Sequence, residues 1–319
     1  MKQPAVARPE KRVLNPRLIT GVLIIVSFVF ASILVPRFFT VNNFFNIIVQ
    51  TCPIGLMAIG LTFVLVTGGI DLSMPAIMSV AAVIGAMFMK SSGSGLGGSI
   101  LMIAAAMAVG LFNGFAVSTL RMIPFVVTLS IMVVGSGTAV WLTNAESVFG
   151  LPDAFINTLT GRIGPVPVAV IILAFFAWAA HFVMSRTIYG RRVYAVGINV
   201  KAARVSGIRT TRVLLSVYVI SGFFTGIAAI ISTARLGSAS PAMGSDALVL
   251  DVISSAVIGG VSIYGGTGTV LGAVVGAIFI TIISNIMNLL GVSYYTTLAI
   301  KGLIIVLATG LDRLRRRQD

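Results

Sequence analysis

Long apolar runs dominate this chain, and its charged residues are gathered in a few segments between them. A membrane-crossing helix needs about 20 mostly apolar residues, whereas the strands of a membrane barrel alternate apolar with polar residues. Runs such as LITGVLIIVSFVFASILV do not alternate. The pattern therefore predicts an all-α membrane protein with about ten transmembrane helices. These helices are predicted at 18–36, 43–66, 74–90, 98–119, 123–143, 165–184, 211–234, 246–263, 267–290 and 294–312.

The charge-free run at 252–300 is too long for a single crossing. Five glycines lie between positions 259 and 268. Glycine weakens a helix because it adds backbone freedom without a side chain to pack. We therefore place the boundary between the eighth and ninth predicted helices within this cluster.

Hydrophobic residues make up 57% of the 319 residues, and charged residues make up 9%. A soluble domain carries about 25% charged residues, so the composition excludes an ordinary soluble enzyme. High hydrophobicity also excludes a disordered chain. We expect a multi-pass membrane domain at 18–312 between short basic tails at 1–17 and 313–319.

Basic residues mark one side of the membrane. Of the 22 Lys and Arg residues, five precede the first predicted helix, seven lie in the loop at 185–212, and four follow the last helix. Short loops rich in Lys and Arg stay in the cytoplasm, so both termini and this loop are predicted to be cytoplasmic. The net charge of +14 calls for no nucleic-acid partner, because the topology accounts for it.

No catalytic or metal-binding set can be assembled from the sequence. Cys52 is the single cysteine and His181 the single histidine, which excludes an intrachain disulfide framework and a Cys/His metal cluster. The chain contains no phosphate-binding G-x-x-x-x-G-K-[ST] motif. The loop at 185–212 is too short to fold as an ATPase domain. We therefore expect no cofactor here, and any ATP hydrolysis on a separate chain.

The sequence TGGIDLSMP at 67–75 interrupts the apolar pattern between two predicted helices. Ser73 is expected to cap the second of these helices, and Pro75 suits its first turn. Asp71 is favoured near a helix N-terminus, although a carboxylate at the bilayer centre costs on the order of 2.5–3.5 kcal/mol. Two interpretations stay open: a hinge or gate beside a transport path, and a capping turn at the inner membrane surface.

The basic loop contains a predicted short helix. Asn199 is a good N-cap and Gly207 a good stop signal, and Lys201 and Arg204 lie between them. Such an amphipathic helix can fit into a groove of a partner protein. A solvated basic loop held by anionic lipid is the alternative.

Uncharged polar residues recur at helical spacing within apolar helices. Asn42, Asn46 and Gln50 are four residues apart, and Asn285 and Asn288 are three apart. Such side chains face the bundle or a water-filled path rather than lipid. They suit a polar neutral solute, and hydrogen bonding between helices is the other interpretation.

Glycines spaced four apart occur at 110 and 114, at 222 and 226, and at 268, 272 and 276. This spacing places small residues on one helix face, where neighbouring backbones can approach closely. It predicts a compact helix bundle and says little about a substrate.

Several blocks of residues occur in a characteristic order. The first are Phe39-Thr40-x-x-Asn43-Phe-x-Asn46-Ile-x-x-Gln50, Gly68-Gly-Ile-Asp71-Leu-Ser73, Gly110-x-x-Asn113-Gly114 and Pro124-Phe125-x-x-Thr128-Leu129. The later ones are Gly190-x-x-x-Tyr194-Ala-x-Gly197-x-Asn199, Ala202-Ala203-Arg204-x-Ser206-Gly207, Gly259-Gly260-x-Ser262 and Asn285-x-x-Asn288. Together they resemble the permease subunits of bacterial sugar ABC importers of the ribose, xylose and galactose type, within the branched-chain amino acid permease superfamily.

This resemblance implies a fold similar to type II ABC importer permeases, located in the bacterial inner membrane. The implied partners are a second permease subunit, two cytoplasmic ATP-binding subunits that use the ATP, a periplasmic sugar-binding protein, and membrane lipid. The implied function is passage of a monosaccharide, such as a ribose-like pentose, by alternating access. Coupling to the ATPases is expected from the 185–210 loop.

The resemblance also implies roles for individual residues. Those expected along the translocation pathway or its gate are Asn46, Gln50, Asp71, Asn113, Thr128, Asp251, Asn285 and Asn288. Those expected to couple to the ATPase are Gly190, Gly197, Ala203, Arg204 and Gly207.

Two positions depart from the family pattern. Ser136-Gly137 stands where relatives often carry Arg-Gly, and Val249 stands where they often carry Glu. The chain is therefore not assigned to one sugar. Some members of the family pair two different permeases, so both a homodimer and a heterodimer stay open. Permeation of another solute such as a branched-chain amino acid, a stand-alone secondary transporter or channel, and a membrane enzyme or scaffold are the competing interpretations.

Overall fold

The computed structural model describes residues 28–29, 31–33 and 35–303. The predicted tails at 1–17 and 313–319 lie outside the described residues, as do large parts of the first and last predicted helices. Residues 28–29, 31–33 and 294–303 are helical and belong to those two.

The remaining described chain is almost entirely helical. Its α-helices are α1 (Val41–Val66), α2 (Met74–Ser92), α3 (Gly95–Ser118), α4 (Pro124–Thr143), α5 (Asp153–Thr160), α6 (Val168–Arg186), α7 (Ile188–Ile198), α8 (Val200–Val205), α9 (Thr210–Leu236), α10 (Asp246–Ile258) and α11 (Val270–Leu289). A 3-10 helix covers Pro241–Gly244, and strands β1 (Arg162–Ile163) and β2 (Val166–Pro167) form an antiparallel hairpin.

Seven of these helices, α1, α2, α3, α4, α6, α9 and α11, are long and apolar enough to cross a membrane. They match the helices predicted at 43–66, 74–90, 98–119, 123–143, 165–184, 211–234 and 267–290 within a few residues. The all-α membrane fold is confirmed, and ten helices is an approximate figure for it.

The eighth predicted helix, at 246–263, is wrong in its C-terminal part. Helix α10 has 13 residues and ends at Ile258. The chain turns at once, because Gly260 adopts a φ of 85°, a left-handed conformation that favours glycine. Residues 259–269 then form a non-helical turn before α11.

Close contacts between helices depend on the predicted glycines. A Cβ atom on Gly110 of α3 would overlap the carbonyl oxygen of Tyr218 in α9, and one on Gly222 of α9 would overlap that of Ala106 in α3. Between α10 and α11, a Cβ on Gly272 would likewise overlap the carbonyl of Gly259. The prediction of close packing at these glycines is confirmed. Helix α1 lies at the centre of the bundle and is the most buried of the seven long helices.

Opposite ends of the bundle carry different structures. Val148 and Ala239 exchange backbone hydrogen bonds of 2.8 and 3.0 Å, so the segment after α4 meets the segment after α9. Helix α5 and the hairpin belong to this end, and the sequence did not predict either. Helices α7 and α8 occupy the other end, between α6 and α9.

Candidate functional site

The chain between α1 and α2, residues 67–73, is a buried non-helical segment, which we call the Asp71 segment. The Asp71 carboxylate is 3% exposed. It accepts hydrogen bonds from the backbone N–H of Ser73 at 3.1 Å, from the Ser73 hydroxyl, and from the Ser221 hydroxyl of α9 at 2.7 Å. Asp71 thus ties this segment to the middle of a membrane helix.

Two further predicted residues join this network. Asn113 of α3 donates from Nδ2 to the Ser73 hydroxyl at 2.9 Å. Thr128 of α4 lies 3.4 Å from the carbonyl oxygen of Ile70, which also accepts from Tyr218 at 3.3 Å. Asp71, Asn113 and Thr128 are therefore brought together, at a junction of α2, α3, α4 and α9.

The expected capping role of Ser73 is wrong. Ser73 occupies the N-cap position of α2, and Pro75 lies in its first turn as expected, but the Ser73 side chain makes no capping hydrogen bond. Its hydroxyl is instead shared between Asp71 and Asn113. The segment is therefore a junction at one end of the bundle, in which the Ser73 side chain bonds to Asp71 and Asn113 instead of capping α2.

A second cluster surrounds a cavity of about 340 Å³, which we call the polar cavity. Its polar lining includes Gln50, Ser232, Arg235, Asp251, Ser284 and Lys301. The Lys301 ammonium lies 2.8 Å from Oδ1 of Asp251 and donates to Oδ2 at 2.9 Å. This ion pair joins α10 to the helical residues 294–303. Lys301 was not predicted as a site residue, although a single positive charge inside an apolar run could have indicated it.

Of the other predicted pathway residues, Asn46 and Gln50 are near the cavity and the two asparagines of α11 are elsewhere. Gln50 donates to the Oδ1 atom of exposed Asn46 at 2.9 Å. Asn285 exchanges hydrogen bonds of 3.0 and 2.8 Å with Asn43, which joins α11 to α1. Asn288 is exposed. The buried asparagine of α1 is thus Asn43, next to the predicted polar stripe.

Helix α7 is attached firmly to the bundle. A Cβ atom on Gly197 would overlap the carbonyl oxygen of Val66, and that oxygen accepts the N–H of Gly266 at 2.9 Å. At the other end of α7, a Cβ on Gly190 would overlap the carbonyl of Met184 in α6. Both predicted coupling glycines therefore allow close backbone contact.

Two tyrosines of α7 add side-chain attachments. The Tyr194 hydroxyl donates to the carbonyl oxygen of Gly268 at 2.7 Å. The Tyr189 hydroxyl lies 2.7 Å from that of Ser216 in α9. Burial raises the pKa of Tyr189 above its ordinary value, an effect that its hydrogen bond to Ser216 only partly offsets, so the phenol stays neutral at physiological pH.

Helix α8 follows the sequence prediction closely. The Asn199 side chain caps it by accepting from the N–H groups of Lys201 and Ala202 at 3.0 Å each. Gly207 follows it with a φ of 82°. The side chain of Ala203 is buried. Arg204 is exposed, and its guanidinium lies 3.5 Å from the Thr210 hydroxyl.

The outer side of α7 and α8 is both apolar and basic. Ile188, Ile198 and Val205 are 60%, 73% and 91% exposed. The same segment carries exposed basic residues, namely Arg191, Arg192, Lys201, Arg204, Arg209 and Arg212. We call residues 188–212 the coupling surface. Exposed apolar side chains among charged ones are typical of a site for a protein partner.

The sequence model of the branched-chain amino acid transport system / permease component family matches residues 43–309. The chain belongs to this family. The match includes the Asp71 segment, the coupling surface and the polar cavity, so all three are parts of a transport permease.

Relatives of similar length are named as sugar permeases. The chain is 37% identical over 298 residues to the ribose import permease protein RbsC of Bacillus subtilis, covering 92% of this chain and 91% of the relative. It is 34% identical over 298 residues to the D-allose transport system permease protein AlsC of Escherichia coli, covering 92% and 90%. It is 32% identical over 306 residues to the L-arabinose ABC transporter permease protein AraH of Azospirillum brasilense, covering 94% and 88%.

The fold is also similar to a solved structure. An inward-facing metal-chelate type ABC transporter superposes with a TM-score of 0.52 at 15% identity, covering 92% of this chain and 97% of that chain. At this identity the similarity concerns the fold, and it agrees with the expected importer-like permease architecture.

Proposed function

We propose that this chain is the membrane permease subunit of an ATP-driven importer that passes a monosaccharide, a ribose-like pentose or a related sugar, across the bacterial inner membrane. The coupling surface is the observation that carries the proposal. It offers a partner an apolar and basic face at one end of the bundle, and it is attached through backbone contacts to the segments that line the centre.

The attachment suggests how a partner's movement reaches the membrane. Gly197 contacts the end of α1 at Val66, where the Asp71 segment begins. Movement of α7 would therefore displace Val66 and the Gly266 N–H bonded to it. Asp71 would transmit the displacement to α9 through Ser221. In this proposal the Asp71 segment, with Asn113 and Thr128, is a hinge for alternating access.

A different partner is proposed for each end of the bundle. Two ATP-binding subunits dock on the cytoplasmic coupling surfaces of two permease subunits, and a periplasmic sugar-binding protein docks on the opposite end near α5. Both termini of the chain are on the cytoplasmic side. Helix α4 is the least buried long helix, and its Val133, Val134 and Trp141 are 65%, 61% and 76% exposed. Lipid or the second permease subunit would cover this face.

Several side chains have proposed roles along the path. Gln50 and Asp251 face the solute, with Asn46 at the entrance and Asn288 exposed one turn beyond Ser284 near the end of α11. Asn285 holds α11 against α1 through Asn43. Gly190, Gly197, Ala203 and Gly207 shape the coupling surface, and Arg204 contacts the ATPase. ATP is used by the partner, and no cofactor is assigned to this chain.

Co-purification from native membranes tests the assembly. A tagged chain, extracted gently, is expected to carry an ATP-hydrolysing subunit in equal amount. A chain that purifies alone and moves solute in ATP-free vesicles would overturn the proposal and favour a secondary transporter or a channel.

Branched-chain amino acids are a second candidate solute, because the matching family model carries that description. A zwitterion needs complementary charges that are free to bind it. Asp251 and Lys301 lie 2.8 Å apart and neutralise each other, which favours a neutral solute. Uptake assays with labelled leucine beside labelled sugars distinguish the two candidates.

A further inference from the structure

The polar cavity lies among α1, α9, α10, α11 and the helical residues 294–303. Gln50 is in the first half of α1 and Arg235 is in the last turn of α9. Both positions are at the end of the bundle that carries α5 and the hairpin, away from the coupling surface. A solute released by a protein docked at that end would meet this cavity.

The charged groups of the cavity are unusual for membrane-embedded helices. Asp251 is 8% exposed and Lys301 is 6% exposed. Ionisable side chains inside the membrane are costly, and they commonly mark substrate or ion pathways. Replacing a buried ion pair by apolar residues of similar size often leaves the stability of a fold unchanged or increases it. Stability alone therefore gives little reason to bury Asp251 and Lys301.

The lining offers both donors and acceptors for hydroxyl groups. Oδ2 of Asp251 keeps a lone-pair site besides Lys301, and the exposed lining residue Arg235 offers guanidinium donors. The Ser284 hydroxyl donates to Ile280 in its own helix, which leaves its oxygen as an acceptor. The Ser232 hydroxyl donates to a weak acceptor, the Met78 sulfur, at 3.8 Å.

The size and chemistry of the cavity limit the ligand. Its volume of about 340 Å³ is at the lower end of the range for small-molecule pockets, about 300–1,000 Å³. No aromatic residue is found among the described residues that line it, so a sugar ring has no stacking platform there. A transport site must also release its solute, which requires weak binding.

We propose that the polar cavity is a low-affinity binding site for one neutral monosaccharide inside the permease. The Asp251–Lys301 pair binds its hydroxyl groups, and Arg235 and Ser232 contact it from α9. This inference rests on the proposed function, which it extends by giving the membrane subunit its own contact with the sugar.

The test uses the complete transporter, with ATPase and binding protein, in vesicles. Labelled D-ribose, D-allose and L-arabinose serve as probes. The variant D251L/K301M removes both charges and puts apolar side chains of similar volume in their place. The control is T233V. Thr233 is buried beside Ser232 and does not line the cavity, and its hydroxyl has no hydrogen-bond partner within the described part of the chain.

Wild type and T233V are expected to import one of these sugars at similar rates. D251L/K301M is expected to assemble and to hydrolyse ATP when loaded binding protein is added, while import falls by about tenfold or more, the loss expected when key polar contacts disappear. Import by D251L/K301M at the wild-type rate would overturn the cavity assignment. Absence of sugar import by the wild type would instead overturn the proposed function.

A second measurement does not depend on folding of the double variant. Ser284→Cys places a thiol in the cavity, in a chain whose buried Cys52 is replaced by alanine. The transported sugar at millimolar concentration, without binding protein, is expected to slow labelling of this thiol severalfold. Thr158→Cys, on exposed α5, gives a control thiol that the sugar leaves unaffected. Equal labelling of the cavity thiol with and without sugar, in a preparation that transports it, would contradict the site.

Discussion

Gly197 of α7 packs so closely on Val66, the last residue of α1, that a Cβ atom at position 197 would overlap the Val66 carbonyl oxygen. The same oxygen accepts the N–H of Gly266 at 2.9 Å. Three segments that are distant in sequence therefore meet at one carbonyl group. One belongs to the coupling surface, one leads into the Asp71 segment, and one leads into α11.

Gly197→Ala is expected to damage this junction. Overpacking commonly costs about 1–3 kcal/mol, and here the obstacle is backbone, which cannot rotate away. We expect a lower unfolding temperature and weaker retention of the ATPase during purification. Gly137→Ala in α4 is the matched control, because a Cβ there meets nothing within 4 Å. Equal stability of the two variants would contradict the close contact.

Changes on the exposed side of α8 should weaken ATPase binding without lowering the unfolding temperature. Val205 is 91% exposed, so Val205→Asp leaves the fold intact while placing a charge in the proposed interface. We expect ATPase binding to weaken by roughly thirtyfold, the loss of a residue worth about 2 kcal/mol. Arg204→Ala should weaken it by a smaller factor, and neither variant should lower the unfolding temperature.

The control for Val205→Asp is Thr158→Asp, which adds the same charge to exposed α5 at the other end of the bundle. Binding of purified ATPase to the three variants in detergent gives the comparison. Normal association with the ATPase and normal uptake in both Val205→Asp and Arg204→Ala would contradict the assignment of the coupling surface.

Asp71→Ala is expected to reduce uptake more than expression. The variant loses the hydrogen bonds to Ser73 and Ser221, each worth about 1 kcal/mol, at a junction that must change conformation during transport. We expect uptake to fall by about tenfold or more while the amount of protein in the membrane changes by less than about twofold. Asp153→Asn, at the exposed start of α5, controls for the effect of losing a carboxylate on the amount of protein in the membrane. Equal loss of uptake and protein would show that Asp71 is structural only.

Removing one member of the Asp251–Lys301 pair should destabilise the bundle more than removing both. Asp251→Asn leaves Lys301 buried without its counterion, and breaking a buried pair costs about 3–5 kcal/mol. The double variant D251L/K301M avoids this cost because it buries no charge. Unfolding temperatures of Asp251→Asn, D251L/K301M and wild type test the order. A double variant less stable than Asp251→Asn would refute it.

Much of this fold could be predicted because lipid imposes a simple rule on sequence. Each long helix needs a mostly apolar run of about 20 residues with few charges, and α1, α3 and α9 contain such runs. Local hydrogen-bonding rules also sufficed for α8, where the side chain of Asn199 caps the helix as expected. These features depend on residues close together in the chain.

Features set by distant residues could not be predicted in the same way. The Ser73 hydroxyl looked like a helix cap, but it donates to nearby Asp71 and accepts from the distant Asn113 of α3. The polar stripe of α1 was predicted through Asn42, whereas Asn43 is the residue that meets Asn285 on α11. A shift of one position rotates a side chain by about 100° around a helix, and only the neighbour decides which face is inside.

In the candidate sites, too, contacts between distant residues could not be predicted from local sequence. Asp251 was expected to matter because of family resemblance, yet its partner Lys301 is 50 positions away and has no local motif. Helix α10 was predicted too long because the apolar run continues past Ile258, while the left-handed Gly260 ends it.

The proposed function is tested most directly by sugar uptake into vesicles that carry the reconstituted transporter, with ATP inside or absent and binding protein present or absent outside. We predict that one of D-ribose, D-allose or L-arabinose accumulates only when ATP, the ATPase and the loaded binding protein are all present. Uptake that proceeds equally without ATP, or accumulation of leucine and of none of these sugars, would contradict it.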